Sequence, residues 1–198
     1  MTSRRTAGLM AVLAGMCALI AAPAQAGESA AALDERSRAL ADQLMSELQA
    51  ELKQAMQQGG PVAAIEVCRT RAPRIAARLS QSAGADVGRT AMRVRNPANA
   101  PDDLERAVMQ NFAAVLANAS PPPSAPPEAV IEIRSAQGIE RRYLRAIVMQ
   151  PLCLTCHGAT LPAEVAAAIA RDYPQDTATG FEPGQLRGAV TVRWPATR

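Results

Sequence analysis

Cys153-Leu154-Thr155-Cys156-His157 places two thiols three positions apart, with an imidazole directly after the second. This C-x-x-C-H spacing is the attachment signature of c-type haem. Two thiols so spaced reach the two vinyl groups of one porphyrin and form thioethers. The imidazole that follows then lies beneath the iron as its proximal ligand. Three other uses of the same residues compete with this one. A redox-active disulfide of thioredoxin type would suit C-x-x-C at a helix start, but the expected βαβ context is missing. A zinc site could draw on Cys68, Cys153, Cys156 and His157, although adjacent Cys156 and His157 would then have to share one tetrahedron. A plain structural disulfide is the third.

The chain has one histidine, His157, and one lysine, Lys53. A bis-histidine haem is therefore excluded. The candidates for a second axial ligand are Met45, Met56, Met92, Met109, Met149, Lys53 and Cys68, or an open position. Methionines at helical spacing are commonly core filler. Cys68, on the apolar face of a helix, reads equally well as a small buried hydrophobe.

The first residues bear on where this chemistry takes place. Arg4 and Arg5 precede an uncharged apolar stretch from Ala7 to Ala22, and Ala24-Gln25-Ala26 follows. That order reads as a secretory signal peptide over residues 1–26, cleaved after Ala26, with a periplasmic product. An uncleaved anchor is the alternative. The apolar run, however, falls short of the roughly 20 residues a span needs, and Pro23 and Gln25 interrupt it. No stable membrane span is expected after cleavage. Cys17 follows Met16, where a lipoprotein would need a small residue, so Cys17 is expected to leave with the signal. The remaining 172 of 198 residues are the size of one ordinary domain. Loss of Arg4 and Arg5 takes the basic residues from 21 to 19, against 18 acidic ones. Neither that balance nor any basic block points to a nucleic-acid partner.

Several elements must hold these side chains. Leucines at 33, 40, 44, 48 and 52 predict an amphipathic helix over 33–58, ended by Gly59-Gly60. Pro61 opens a second helix with Ile65, Cys68, Ala72, Ile75 and Leu79 on its apolar face, and Pro73 is expected to kink or restart it. Thr90, Met92 and Val94 alternate with Arg89, Arg93 and Arg95, which predicts a half-buried strand. A helix follows over about 101–118. The proline-rich stretch 121–127 reads as a stiff surface connection. Alternation around Ser135-Ala136-Gln137-Gly138 predicts a β-hairpin. A short helix over 162–171 and a last strand through Val190, Val192 and Trp194 complete the chain. The order of elements predicts an α+β fold, with a mainly antiparallel sheet covered by helices on one face. The division expected is a signal peptide at 1–26, an N-terminal helix at 27–60 and a cofactor-binding domain at 61–198.

Further segments carry a resemblance. Ala64-Ile65-Glu66-Val67-Cys68 with Ala72-Pro73 comes first, then Arg95-Asn96-Pro97-Ala98-Asn99-Ala100-Pro101-Asp102. The cysteine motif with Gly158 follows, then Tyr173-Pro174-Gln175-Asp176-Thr177-Ala178-Thr179-Gly180 and Gly184-Gln185-Leu186-Arg187-Gly188-Ala189. In this order they resemble the periplasmic c-haem domains of PAS-like fold, seen in a cyanobacterial haem protein and in bacterial sensor proteins. Two positions depart from the family: Leu104 stands where tryptophan is frequent, and Gln185 where an acidic residue is frequent. The resemblance implies a PAS-like α+β fold, one covalent haem c and Cys68 as the sixth ligand opposite His157. A thiolate there would depress the reduction potential.

Arg95, with Arg89 and Arg93, is a candidate partner for the haem propionates through its planar fork, a solvated face being the alternative. No role is assigned to Glu66 or Asp176. No paired-carboxylate, serine-triad or phosphate-loop pattern is present, and no enzymatic activity is expected. The expected function is a redox or diatomic-gas sensor acting through a separate signalling partner, with a small periplasmic electron-transfer cytochrome as the alternative.

Overall fold

The computed structural model describes residues 28–197, so the expected signal peptide and its cleavage site lie outside the described residues. Ser29 opens helix α1 (Ala30–Ala83) by accepting a hydrogen bond from the Ala32 N–H at 3.2 Å, and Gly84, at φ 69°, closes it. Only Gly59 and Gly60 leave helical angles within α1. Gly60, at φ 68° and ψ −166°, takes a conformation open to glycine alone. There the helix folds back into an antiparallel pair of limbs: Arg78 pairs with Glu47, Arg71 with Glu51, and Arg36 reaches the Ala83 carbonyl. The helix does not restart at Pro73, which keeps helical backbone angles. Pro73 and Arg69, whose carbonyl loses its helical partner, are both exposed.

Four strands follow: β1 (Asp86–Thr90), β2 (Glu128–Ser135), β3 (Gly138–Val148) and β4 (Leu186–Thr197). They form one sheet in the order β1-β4-β3-β2, antiparallel throughout. The fold is α+β, in an arrangement compatible with a PAS-like sheet. The hairpin β2–β3 turns at Ala136-Gln137, where the sequence places it. Helix α2 (Asp103–Asn118) starts with a reciprocal cap in which Asp102 and Glu105 each accept from the other's backbone N–H.

The expectation that helices cover one face needs correction, because both faces are covered. On one face Ala41, Leu44, Leu48, Ala72 and Leu79 of α1 pack on Val87, Tyr143, Val190, Val192 and Trp194. On the other, Met109 and Phe112 of α2 pack on Leu144, Ala146, Leu186 and Ala189. Neighbours Tyr143 and Leu144 point to opposite sides, as the period of a strand requires, and both are fully buried. Both limbs of α1 share a core with the sheet, so the segment before residue 60 packs with the rest. Trp194 donates from its indole N–H to buried Ser37 at 2.8 Å and lies under the Arg36 guanidinium, which locks the first limb in register.

The strand expected over 89–95 is also displaced. β1 ends at Thr90, and the Ala91 N–H donates to the Asn99 carbonyl at 3.0 Å. Gly188 faces this departure point, where a Cβ would lie 2.4 Å from the Thr90 carbonyl. The alternation of residues 90–95 belongs to a loop.

Burial makes the sheet sensitive to alkali. The Tyr143 hydroxyl donates to Glu128 at 2.8 Å, and burial, aided by that carboxylate, pushes its pKa well above the ordinary tyrosine value. Burial likewise raises Tyr173 to about 12. The folded state therefore holds these protons more tightly than the unfolded chain, whose tyrosines titrate near ~10. Stability is expected to be unaffected by the tyrosines below about pH 10 and to fall as pH rises from there through about 12. Denaturant midpoints across that range check this, and Tyr143→Phe should flatten the decline.

Candidate cofactor site

Pro151 starts a single 3-10 turn (Pro151–Cys153), which continues into α3 (Leu154–His157) and carries the motif along one side of a cavity. The cavity holds about 230 Å³ and opens to solvent. Its walls come from both limbs of α1, the ends of β1, β3 and β4, and α3. Cys68, Arg95, Cys153, Cys156 and His157 all line it, although up to 89 residues separate them in the chain. Leu48, Leu52, Ile65, Val67, Ile147 and Val148 make the surrounding wall apolar.

Two small clusters hold the motif in place. Ile65 on the second limb packs with Val165, Ala168 and Ile169 of α4 (Ala163–Asp172), with Tyr173 and with Cys156. This cluster ties the Cys68 limb to α3. Met149, Ala178 and Phe181 pack against Cys153 and Leu154 from the other side. Burial raises the Cys156 thiol pKa, and Cys68 and Cys153 lie close enough to add to the rise.

The segment after α4 orients His157. Its Nδ1 lies 2.6 Å from the Ala178 carbonyl. A carbonyl can only accept, so Nδ1 carries the proton and the Nε2 lone pair stays available to a metal. Burial, with the charges of Arg187 and Arg95 adding, pushes the imidazole pKa down to about 3 and keeps the ring neutral. The Phe181 N–H also bonds the His157 carbonyl at 2.9 Å, and the Phe181 ring meets the imidazole edge-on.

Arg95 is the buried pin of this arrangement. Its Nε and Nη2 bond the two carboxylate oxygens of Asp176 at 3.1 and 3.2 Å. Nη2 also donates to the Cys156 carbonyl at 2.6 Å. Asp176 in turn accepts from the Ala178 N–H at 3.0 Å. Thr177 donates from both its N–H and its hydroxyl to the Val94 carbonyl alongside. One ion pair thus supports both Cys156 and the carbonyl that fixes His157. The sequence offers no local signal for it, since 81 residues separate the partners.

The geometry also sorts the candidate axial ligands. Met45, Met56 and Cys68 line the cavity. Met109 is buried under α2, Met149 packs behind the motif, Met92 is exposed and Lys53 is not part of the wall. Among the described residues, no three His, Cys, Asp or Glu side chains are grouped to hold a metal ion by themselves, which argues against the Cys₃His zinc reading. The donors and the apolar wall fit a porphyrin: two thiols and one imidazole on one wall, with further sulfur donors around the cavity. No helix among the described residues is long and apolar enough to cross a membrane.

Comparison with known proteins is consistent with this architecture. The crystal structure of Tll0287, described as a cyanobacterial haem protein, superposes with a TM-score of 0.58 at 23% sequence identity. The match covers 86% of this chain and 99% of that one, and shows a shared fold. No curated protein matches the chain. The sequence pattern of the Tll0287-like family matches residues 24–195, nearly the whole chain, and the chain belongs to that family.

Proposed function

We propose that this chain is an exported carrier of one c-type haem, attached through Cys153 and Cys156, ligated by His157 and Cys68, and serving as a redox or diatomic-gas sensor. The observation that carries the reading is the fixed tautomer of His157. Its Nδ1–H is held by Ala178, so the Nε2 lone pair is free, in the cavity that also takes both motif thiols. Further support comes from membership of a family whose structurally similar relative is described as a haem protein. The export pattern at 1–26 adds to it, since c-type haem is attached outside the bacterial cytoplasm.

A haem bound here would supply a one-electron couple and, where Cys68 released the iron, a position for a diatomic gas. The protein supplies the rest. Cys153 and Cys156 would supply the thiols that hold it covalently, and His157 Nε2 would supply a nitrogen donor to its iron. The Ala178 carbonyl, by accepting the hydrogen bond from Nδ1–H, keeps the ring oriented and leaves the Nε2 lone pair for the metal. Cys68 approaches from the second limb of α1, which α4 holds in place. Leu48, Leu52 and Ile147 exclude water, which strengthens electrostatic effects at the site.

The test is expression with a c-type cytochrome maturation system. The wild type is expected to retain haem on denaturation, and its oxidised absorption spectrum should change in Cys68→Ala. Covalent haem with an unchanged Cys68→Ala spectrum would keep the attachment and reject the Cys68 ligand. A chain without haem would overturn the proposal.

A further inference from the structure

Two arginines in the cavity have no counter-ion. Arg89, from β1, and Arg187, at the start of β4, are half-buried and line the cavity with the motif residues. Neither forms an ion pair with any Asp or Glu among the described residues, whereas the half-buried Arg141, Arg142 and Arg145 of the sheet each do. Arg187 rests near the Phe181 ring and donates only to the Arg93 carbonyl, at 3.1 Å. Arg95, the third cavity arginine, is neutralised by Asp176. The cavity wall thus carries two uncompensated positive charges in largely apolar surroundings. Burying a guanidinium without an anion is costly, so the arrangement calls for two negative charges from outside the chain. Burial, with Arg95 and Arg89 adding, pushes the Arg187 pKa down to about 10, as such a shortage of anions requires.

We propose that Arg89 and Arg187 form a carboxylate seat that receives the two propionates of the haem. This rests on the haem reading above. It moves the propionate role away from Arg95, whose fork already serves Asp176 and Cys156. The charges match: a porphyrin of this kind brings two carboxylates, and the wall offers two free guanidinia. Each fork suits bidentate contact with a planar carboxylate.

The experiment is resonance Raman spectroscopy of the haem-loaded full chain, reading the propionate bending band. Arg89→Gln and Arg187→Gln should each shift the band to lower frequency, because a hydrogen-bond donor to the carboxylate is lost. Arg89→Lys and Arg187→Lys keep the charge but lose the fork, and should give smaller shifts in the same direction. They decide the matter if the glutamine variants do not fold. Bands identical to the wild type in every folded variant would overturn the seat while leaving the haem in place. A wild-type band that moves when chloride is exchanged for phosphate would assign the arginines to a solvent anion and also overturn it. A wild type without covalent haem would overturn the seat together with the reading beneath it.

Discussion

Arg95→Leu is expected to cost about 3–5 kcal/mol of stability, the penalty for leaving one member of a buried ion pair uncompensated. Both side chains are nearly inaccessible, at 9% and 8% exposure for Arg95 and Asp176. Leucine would also remove the donor to the Cys156 carbonyl. In a domain of this size the loss corresponds to roughly 10 °C in Tm. Denaturant titration of the single variants and of Arg95→Leu/Asp176→Leu separates the pair from its members. The double variant should recover much of the loss, since replacing both charges leaves no isolated ion. A double variant as unstable as the single one would mean that the bond to Cys156, and not the ion pair, holds the segment.

Cys68→Met is expected to raise the midpoint potential of the haem-loaded protein by on the order of 0.1 V, a fraction of the ~0.8 V that axial ligation spans. A thiolate donates electron density and favours ferric iron, while a thioether favours ferrous iron. Methionine suits the space because its chain is flexible and the wall around Cys68 already includes Met45 and Met56. Potentiometric titration of the two proteins measures the difference. An unchanged potential would show that Cys68 does not touch the iron and would shift attention to those methionines or to an open position.

Much of this site was legible in the sequence, for a definable reason. Cys153, Cys156 and His157 announce themselves because their chemistry depends on spacing within five residues. Leu33 to Leu52 and Val190 to Trp194 were readable because burial imposes a strict period on helices and strands. Features set by contacts distant in the chain were hidden. The run Arg89 to Arg95 alternates like a strand, yet Arg95 is drawn out of the sheet by Asp176, far along the sequence. The support of His157 by Ala178 is a backbone carbonyl, and side-chain identity cannot reveal it. The two-sided covering of the sheet went unseen because α2 reads as an ordinary amphipathic helix whichever face it takes.

The fold-back at Gly59–Gly60 gives the cavity the mechanics of a pair of tongs. Met45, Leu48, Leu52 and Met56 sit on one jaw and Ile65, Val67 and Cys68 on the other, joined at a two-residue pivot. A side chain added at Gly60 would touch nothing within 4 Å, so crowding does not set the opening there. Torsion does. The gap between Cys68 and the opposite jaw is governed by a few backbone angles lying outside the cavity. Cys68 lies about two turns from that pivot, so its distance from the opposite jaw is set close to the hinge, far from the end where Arg36 meets Trp194.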